Sequence, residues 1–205
     1  MSVINAESII NEMDKLFIDP KCELLYTKDY ELLLAVMLSA QTTDKRVNMV
    51  TVPLFKKYDT LEKLNKLTIE EISEEIKTIG MFKTKAKNFK GIVKAIIEFG
   101  GYVPNDREFL ESLPGVGRKT ANVVLANIYN EPCFAVDTHV NRISKRLGIA
   151  DESDDVSVVE EKLMKYFPKE NWSRLHHQLV LFGRYKCKSK NPECEDCPFN
   201  GYCNK

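Results

Sequence analysis

Four of the six cysteines in this 205-residue chain, Cys187, Cys194, Cys197 and Cys203, crowd together near its C-terminus. The pattern Cys-x6-Cys-x2-Cys-x5-Cys offers four soft thiolates, which suit either one zinc ion or a [4Fe–4S] cluster. Structural zinc sites usually bring two close pairs from separated hairpins. Here one close pair is flanked by wider loops, a better fit to a cubane. Disulfides are the remaining possibility, and clustering in a chain without a visible secretory leader weighs against them. The loop Lys188–Glu193 carries Lys188 and Lys190, so a metal at this place holds a basic loop in shape.

A second cluster of chemistry lies in Leu113-Pro114-Gly115-Val116-Gly117-Arg118-Lys119-Thr120-Ala121. Pro114 stops one helix, and Gly115 and Gly117 allow positive φ and present successive N–H groups at the start of the next. Such an opening accepts a phosphate, because unpaired amides and the helix dipole both favour an anion. The alternative is an ordinary tight turn between helices, and Arg118 and Lys119 tilt the choice towards phosphate. Lys119 falls in the first turn of the second helix, where the dipole, Arg118 and partial burial each disfavour the ammonium form. A neutral lysine amine attacks carbonyl-type carbons and forms Schiff bases; a solvated lysine touching phosphate is the plainer role. Asp137, in Val136-Asp137-Thr138-His139-Val140-Asn141-Arg142, is placed to cap a helix, and a capping carboxylate is held ionised, ready to stabilise a cation or take a proton. His139 is either a surface residue or a phosphate contact.

These groups require helices to position them. Periodicity of 3.6 dominates and no run alternates polar with apolar, so the chain reads as all-α. Helices are expected over Ala6–Phe17, Tyr30–Ala40, Asp44–Lys57, Leu61–Lys66, Ile69–Thr78, Phe82–Phe99, Arg107–Leu113, Arg118–Tyr129, His139–Leu147, Val156–Phe167 and Trp172–Tyr185. Leu32–Leu38 is apolar on every face and should be the central helix of its domain. Pro53 should kink or shorten the third helix, and Gly80, Gly100 and Gly148 sit where left-handed caps are expected. The first twenty residues lack a basic region followed by an apolar core, and no apolar run is long enough to span a bilayer, so a cytoplasmic protein without membrane contact is expected.

Taken together, the motifs resemble the endonuclease III family of DNA glycosylases and abasic-site lyases, in the helix–hairpin–helix superfamily with an iron–sulfur cluster. LSAQTTD at Leu38–Asp44, GMFKTKA at Gly80–Ala86, LPGVGRKTA at Leu113–Ala121, VDTHVNR at Val136–Arg142 and the cysteine ending occur in the family's order and spacing. The resemblance implies two helical domains with DNA in the cleft between them: a six-helix barrel over residues 22–132, and a [4Fe–4S] domain from residues 1–21 plus 133–205. It implies Lys119 as nucleophile, assisted by Asp137. Gln41 would fill the hole left by a flipped nucleotide and Met81 would act as the wedge, where the family often has Leu. Gly115, Gly117, Arg118, His139, Lys188 and Lys190 would contact DNA, and the four cysteines would hold the cluster. The implied partner is double-stranded DNA carrying an oxidised or ring-saturated pyrimidine or an abasic site, acted on by a monomer. The adenine glycosylase branch is the near rival, but it lacks the lysine and carries a catalytic Glu where this chain has Ala35. A non-enzymatic DNA-binding or electron-carrying iron–sulfur protein would need the hairpin and the cluster but not Lys119 and Asp137 together.

Thirty Lys and Arg balance thirty Asp and Glu, so the chain as a whole has no attraction for a polyanion. The average conceals segregation: Lys77–Lys94 holds six lysines and no acid, whereas acids collect in Thr68–Glu75 and Asp151–Glu161. If the basic segments share a face, DNA affinity falls steeply as salt rises. A binding titration at several salt concentrations checks this, and a flat dependence contradicts it.

Overall fold

A computed structural model describes residues 4–203, which form eleven α-helices, a single 3-10 turn and no strand. They divide into two compact units, one from Cys22 to Tyr129 and the other joining the residues up to Lys21 with those from Asn130 onward. The division falls three residues before the expected one, at Asn130, whose φ of 54° lets the chain turn. The first three and last two residues of the expected cluster domain lie outside the described residues.

The Cys22–Tyr129 unit contains α2 (Asp29–Leu38), α3 (Asp44–Lys57), α4 (Leu61–Lys66), α5 (Ile69–Glu75), α6 (Phe82–Phe99), α7 (Arg107–Ser112) and α8 (Arg118–Tyr129). Leu32, Leu33, Leu34, Ala35 and Leu38 are wholly buried, and α2 packs against α3, α6 and α8. It is the central helix that its all-round apolarity predicts. The entry to α2 is held by a buried carboxylate: Glu31 Oε2 accepts from Thr27 N at 2.7 Å, Thr27 Oγ1 at 3.0 Å and Lys28 N at 3.2 Å. At α5 the Thr68–Glu71 capping box forms as its sequence predicts.

Two local expectations differ from what the structure shows. Pro53 does not shorten α3, which extends to Lys57. The carbonyl that Pro53 leaves unpaired belongs to Met49, an exposed residue, so water can serve it. Secondly, α5 ends at Glu75 instead of Thr78, and the left-handed residue after it is Met81, with φ 57°, while Gly80 does not have positive φ. Gly100 and Gly148 do take positive φ, at 127° and 72°.

The other unit contains α1 (Ala6–Leu16), α9 (Thr138–Arg146), α10 (Val156–Tyr166) and α11 (Trp172–Tyr185). Its core gathers Phe134, Phe167 and Trp172, with ring centroids 6.1 and 6.4 Å from Phe134. α11 touches α1 and α9. Its approach to α9 depends on Gly183, where a Cβ would lie 2.8 Å from His139 Cβ and 2.9 Å from Ile143 Cδ1. Among the described residues no helix is long and apolar enough to cross a membrane.

Replacing Glu31 by Ala strands three donors near the start of the central helix, and should lower unfolding stability by about 2–3 kcal/mol. Chemical denaturation measures the loss, which should be smaller for Glu31→Gln because an amide oxygen still accepts.

Candidate functional site

In the Cys22–Tyr129 unit, one helix carries the supports for every candidate residue. Met81 precedes α6 and is 54% exposed. One turn later Lys85, only 3% exposed, sends its ammonium to Leu38 O at 2.9 Å, Ala40 O at 2.7 Å and Thr42 Oγ1 at 3.3 Å. Those oxygens flank Gln41, an exposed residue with φ 55°. Among the described residues, the non-glycine residues with positive φ are Gln41, Met81 and two asparagines. Asparagine tolerates that region readily; Gln and Met do so at a cost.

Further along α6, Gly91 receives Pro114, whose Cγ would be 2.7 Å from a Cβ at that glycine, and Asn88 lies against Gly115. The hairpin between α7 and α8 is therefore seated on α6. Val116 and Leu113 plug it into the core, and Arg107 Nη1 donates to Asn122 Oδ1 at 2.5 Å, tying its two helices together. Gly115 has φ 76° and a Cβ there would meet Asn88 Nδ2 at 2.4 Å, so no other residue fits without strain. Gly117 does not have positive φ, against expectation; its role is an exposed amide at the opening of α8. Arg118 and Lys119 follow, both exposed. The partial burial expected for Lys119 is absent, because the first turn of α8 faces outward. Its amine makes no hydrogen bond or ion pair among the described residues.

In the other unit, Asp137 caps α9. Its Oδ1 accepts from His139 N at 2.8 Å and Val140 N at 2.7 Å, and Oδ2 accepts no hydrogen bond among the described residues. One oxygen serves the helix while the second stays available. His139 is half-buried, with Nδ1 3.3 Å from Arg142 Nη2.

Arg142 and Arg146, both on α9, are spent on the cysteine segment. Arg142 Nη2 donates to Gly183 O at 2.8 Å and Cys187 O at 2.9 Å. Arg146 Nη1 donates to Cys187 Sγ at 3.1 Å and Lys188 O at 2.9 Å. Lys145 likewise binds the carbonyls of Glu152 and Asp154. The arginine contacts span more than forty positions in the chain, and charge alone gives no sign of them.

Cys187, Cys194, Cys197 and Cys203 line one cavity with the apolar Ile143, Leu147 and Phe182. No disulfide joins any described cysteine. Among the described residues no three His, Cys, Asp or Glu side chains converge on a single-ion site. Four cysteines lining one cavity fit the donor set of an iron–sulfur cluster. Phe199, between the third and fourth cysteines, stacks edge-on against Phe182 at 5.4 Å and anchors the coil. Of the two loop lysines, Lys188 pairs with Glu193 at 2.8 Å and helps hold that carboxyl below the usual range, whereas Lys190 is exposed and has no ion-pair partner among the described residues.

The basic run Lys77–Lys94 is sorted in the same way. Lys77 pairs with Glu74, Lys94 with Glu98 and Lys90 with the carbonyls of Asn65 and Leu67. Lys85 is internal. Lys83 and Lys87 remain exposed, with no partner among the described residues.

Residues 34–169 match the model of the HhH-GPD superfamily of base excision DNA repair proteins, and residues 187–203 match the iron–sulfur binding domain of endonuclease III. Fold and site thus define a helix–hairpin–helix protein of base-excision repair with an iron–sulfur domain. The chain is 48% identical over 200 residues to endonuclease III of Bacillus subtilis, covering 97% of this chain and 91% of that one. It is 43% identical over 185 residues to endonuclease III of Escherichia coli K12, covering 90% and 87%. A solved structure of a trapped covalent endonuclease III–DNA intermediate superposes with a TM-score of 0.93 at 46% identity, over 98% of this chain and 96% of that one. The chain belongs to the endonuclease III family. It is a bifunctional base-excision repair glycosylase and abasic-site lyase; its partner is DNA and its cofactor a [4Fe–4S] cluster.

Purified protein should be brown, with broad absorbance in the blue-violet. Cys197→Ser should bleach it and release iron; a colourless wild-type protein with stoichiometric zinc contradicts the cluster.

Proposed function

We propose that Lys119 is the nucleophile of the reaction and Asp137 the carboxylate that assists it, on duplex DNA bearing an oxidised or ring-saturated pyrimidine or an abasic site. The observation that carries this is the Lys119 amine: exposed, without an internal partner, and two residues beyond the exposed amide of Gly117, where a phosphate is favoured. A nucleotide cannot be attacked at C1′ inside a stacked duplex, so the damaged residue must be extruded first. Damaged pyrimidines stack and pair poorly, which lowers that cost.

The Lys119 amine, as the neutral base, donates its lone pair to C1′ as the glycosidic bond breaks and the base leaves with the bonding electrons. Asp137, through the oxygen not engaged in capping, takes the proton that the attacking nitrogen sheds. Asp137 returns that proton to O4′ as the sugar opens, which gives a free hydroxyl at O4′ and a protonated Schiff base between Nζ and C1′. Loss of a proton from C2′ then expels the 3′ phosphate and nicks the strand, and water releases the lysine. Gln41 and Met81 enter the duplex in place of the extruded nucleotide. Met81 and the hairpin seat at Gly91 are ten residues apart on α6, about 15 Å at 1.5 Å per residue. That is a few base pairs, so wedge and phosphate clamp engage one stretch of backbone. Arg118, Lys190 and His139 add phosphate contacts; Lys188 contributes less, since Glu193 already neutralises much of its charge. The [4Fe–4S] cluster supplies structure to the loop that carries these lysines. All the residues come from one chain, so a monomer suffices, and the protein works in the cytoplasm on chromosomal DNA.

Incubation with an abasic duplex and borohydride should yield a covalent protein–DNA adduct by reduction of the Schiff base. Lys119→Gln should abolish it while DNA binding persists. An adduct of undiminished yield in that variant removes Lys119 from the role.

A further inference from the structure

The GMFKTKA motif contains a lysine that composition assigns to the DNA-binding face and the fold assigns to the interior. Lys85 is 3% exposed, and burial pushes its ammonium below the usual lysine range. A buried charge normally demands a carboxylate. Lys85 has none among the described residues; its three N–H donors go to Leu38 O, Ala40 O and Thr42 Oγ1, all on the turn that presents Gln41. Leu38 is the last residue of α2, so the ammonium also meets the negative end of that helix. Four residues before Lys85, and joined to it by the Lys85 N to Met81 O hydrogen bond of 3.0 Å, stands Met81.

One residue thus links two exposed residues that both have left-handed backbone, the Gln41 turn through its side chain and Met81 through its main-chain N–H. A backbone held in that region costs energy unless its surroundings over-determine it, and such places concentrate where geometry is part of function. The ammonium fixes the carbonyl before Gln41 and the hydroxyl after it, and its own helix begins at Met81. We propose that Lys85 is a positioning residue that holds the Gln41 turn and the Met81 wedge at one fixed separation, so that both enter the duplex together. This rests on the proposed insertion of Gln41 and Met81 into DNA. Lys85 touches neither substrate nor reacting atoms, and its contribution is confined to steps that require a stacked opposite strand to be opened.

The test compares borohydride trapping rates on an abasic site in duplex and on the same site in single-stranded DNA, using the cluster-loaded protein. The duplex-to-single-strand ratio is insensitive to a uniform loss of folded enzyme, whereas misplacement of the inserting pair lowers it. Lys85→Met, which keeps the apolar stem and removes the three donors, should lower the ratio about tenfold, and Thr42→Val, which removes one acceptor, about threefold. Gln41→Ala and Met81→Ala should lower it too. Because Lys85 acts through that pair, adding Lys85→Met to the Gln41→Ala/Met81→Ala double variant should lower it no further. 2-Aminopurine placed opposite the site should brighten less with Lys85→Met than with wild type. If Gln41→Ala and Met81→Ala lower the ratio and Lys85→Met leaves it within about twofold of wild type, the assignment to Lys85 falls and the insertion reading stands. If neither Gln41→Ala nor Met81→Ala changes it, the insertion reading falls and takes this inference with it. Should Lys85→Met not fold, Thr42→Val decides by the same ratio.

Discussion

The buried stripe of α6 is the constraint on which the catalytic unit depends. Ala86, Phe89, Ile92, Val93 and Ile96 are wholly buried on it, and α2, α4 and α5 all pack against it. A helix fixed so completely offers rigid attachment points, and three loops use them. The Gln41 turn is tied to Lys85, the hairpin's Gly115 lies on Asn88, and Pro114 drops into the space left by Gly91. Met81 enters by continuity of the chain. The loops themselves are short, and a short loop whose ends are anchored on one stiff helix has little freedom left to lose on binding DNA.

In the second unit α9 plays the corresponding part. Its first turn is capped by Asp137, and its later turns send Arg142 and Arg146 to the backbone and sulfur of Cys187. The carboxylate and the first thiolate of the cluster segment are therefore oriented by one nine-residue helix. Gly183 permits α11 to lie close enough for Arg142 to reach the Gly183 carbonyl. An alanine there would collide with His139 and Ile143, disturbing the helix that the cap supports.

What the sequence revealed and what it hid follow the distinction between local and long-range physics. The hairpin, the Asp137 cap and the four-cysteine coil depend on neighbours a few residues away, and their motifs are legible at once. So is α2, whose apolarity on every face admits no other place. The left-handed residue near position 80 is Met81, which caps the start of α6, and nothing local in the sequence favours it over Gly80. The clamp from Lys85 to the Gln41 turn spans more than forty positions in the chain. A signal did exist: Lys85 lies beside Ala86 on the 3.6-residue stripe with Phe82, Phe89 and Val93, where a solvated lysine would be out of place. The engagement of Arg142 and Arg146 with Cys187 had no such signal, since nothing near them in sequence distinguishes a structural guanidinium from one that meets phosphate.

Counting charges therefore misjudges this protein in both directions. Of the six lysines between residues 77 and 94, one is internal and three are engaged with carbonyls or acids, leaving Lys83 and Lys87 for an external anion. Few phosphate contacts imply modest non-specific affinity, each contributing one step to the salt dependence. Geometry compensates. Holding Gln41 and Met81 in left-handed backbone costs about 1–2 kcal/mol each, while hydrogen bonds from a charged group contribute about 1.5–3 kcal/mol apiece. Three such bonds from Lys85 outweigh the strain at Gln41. The same cation that is withdrawn from the phosphate-binding surface maintains the shape of the surface that remains.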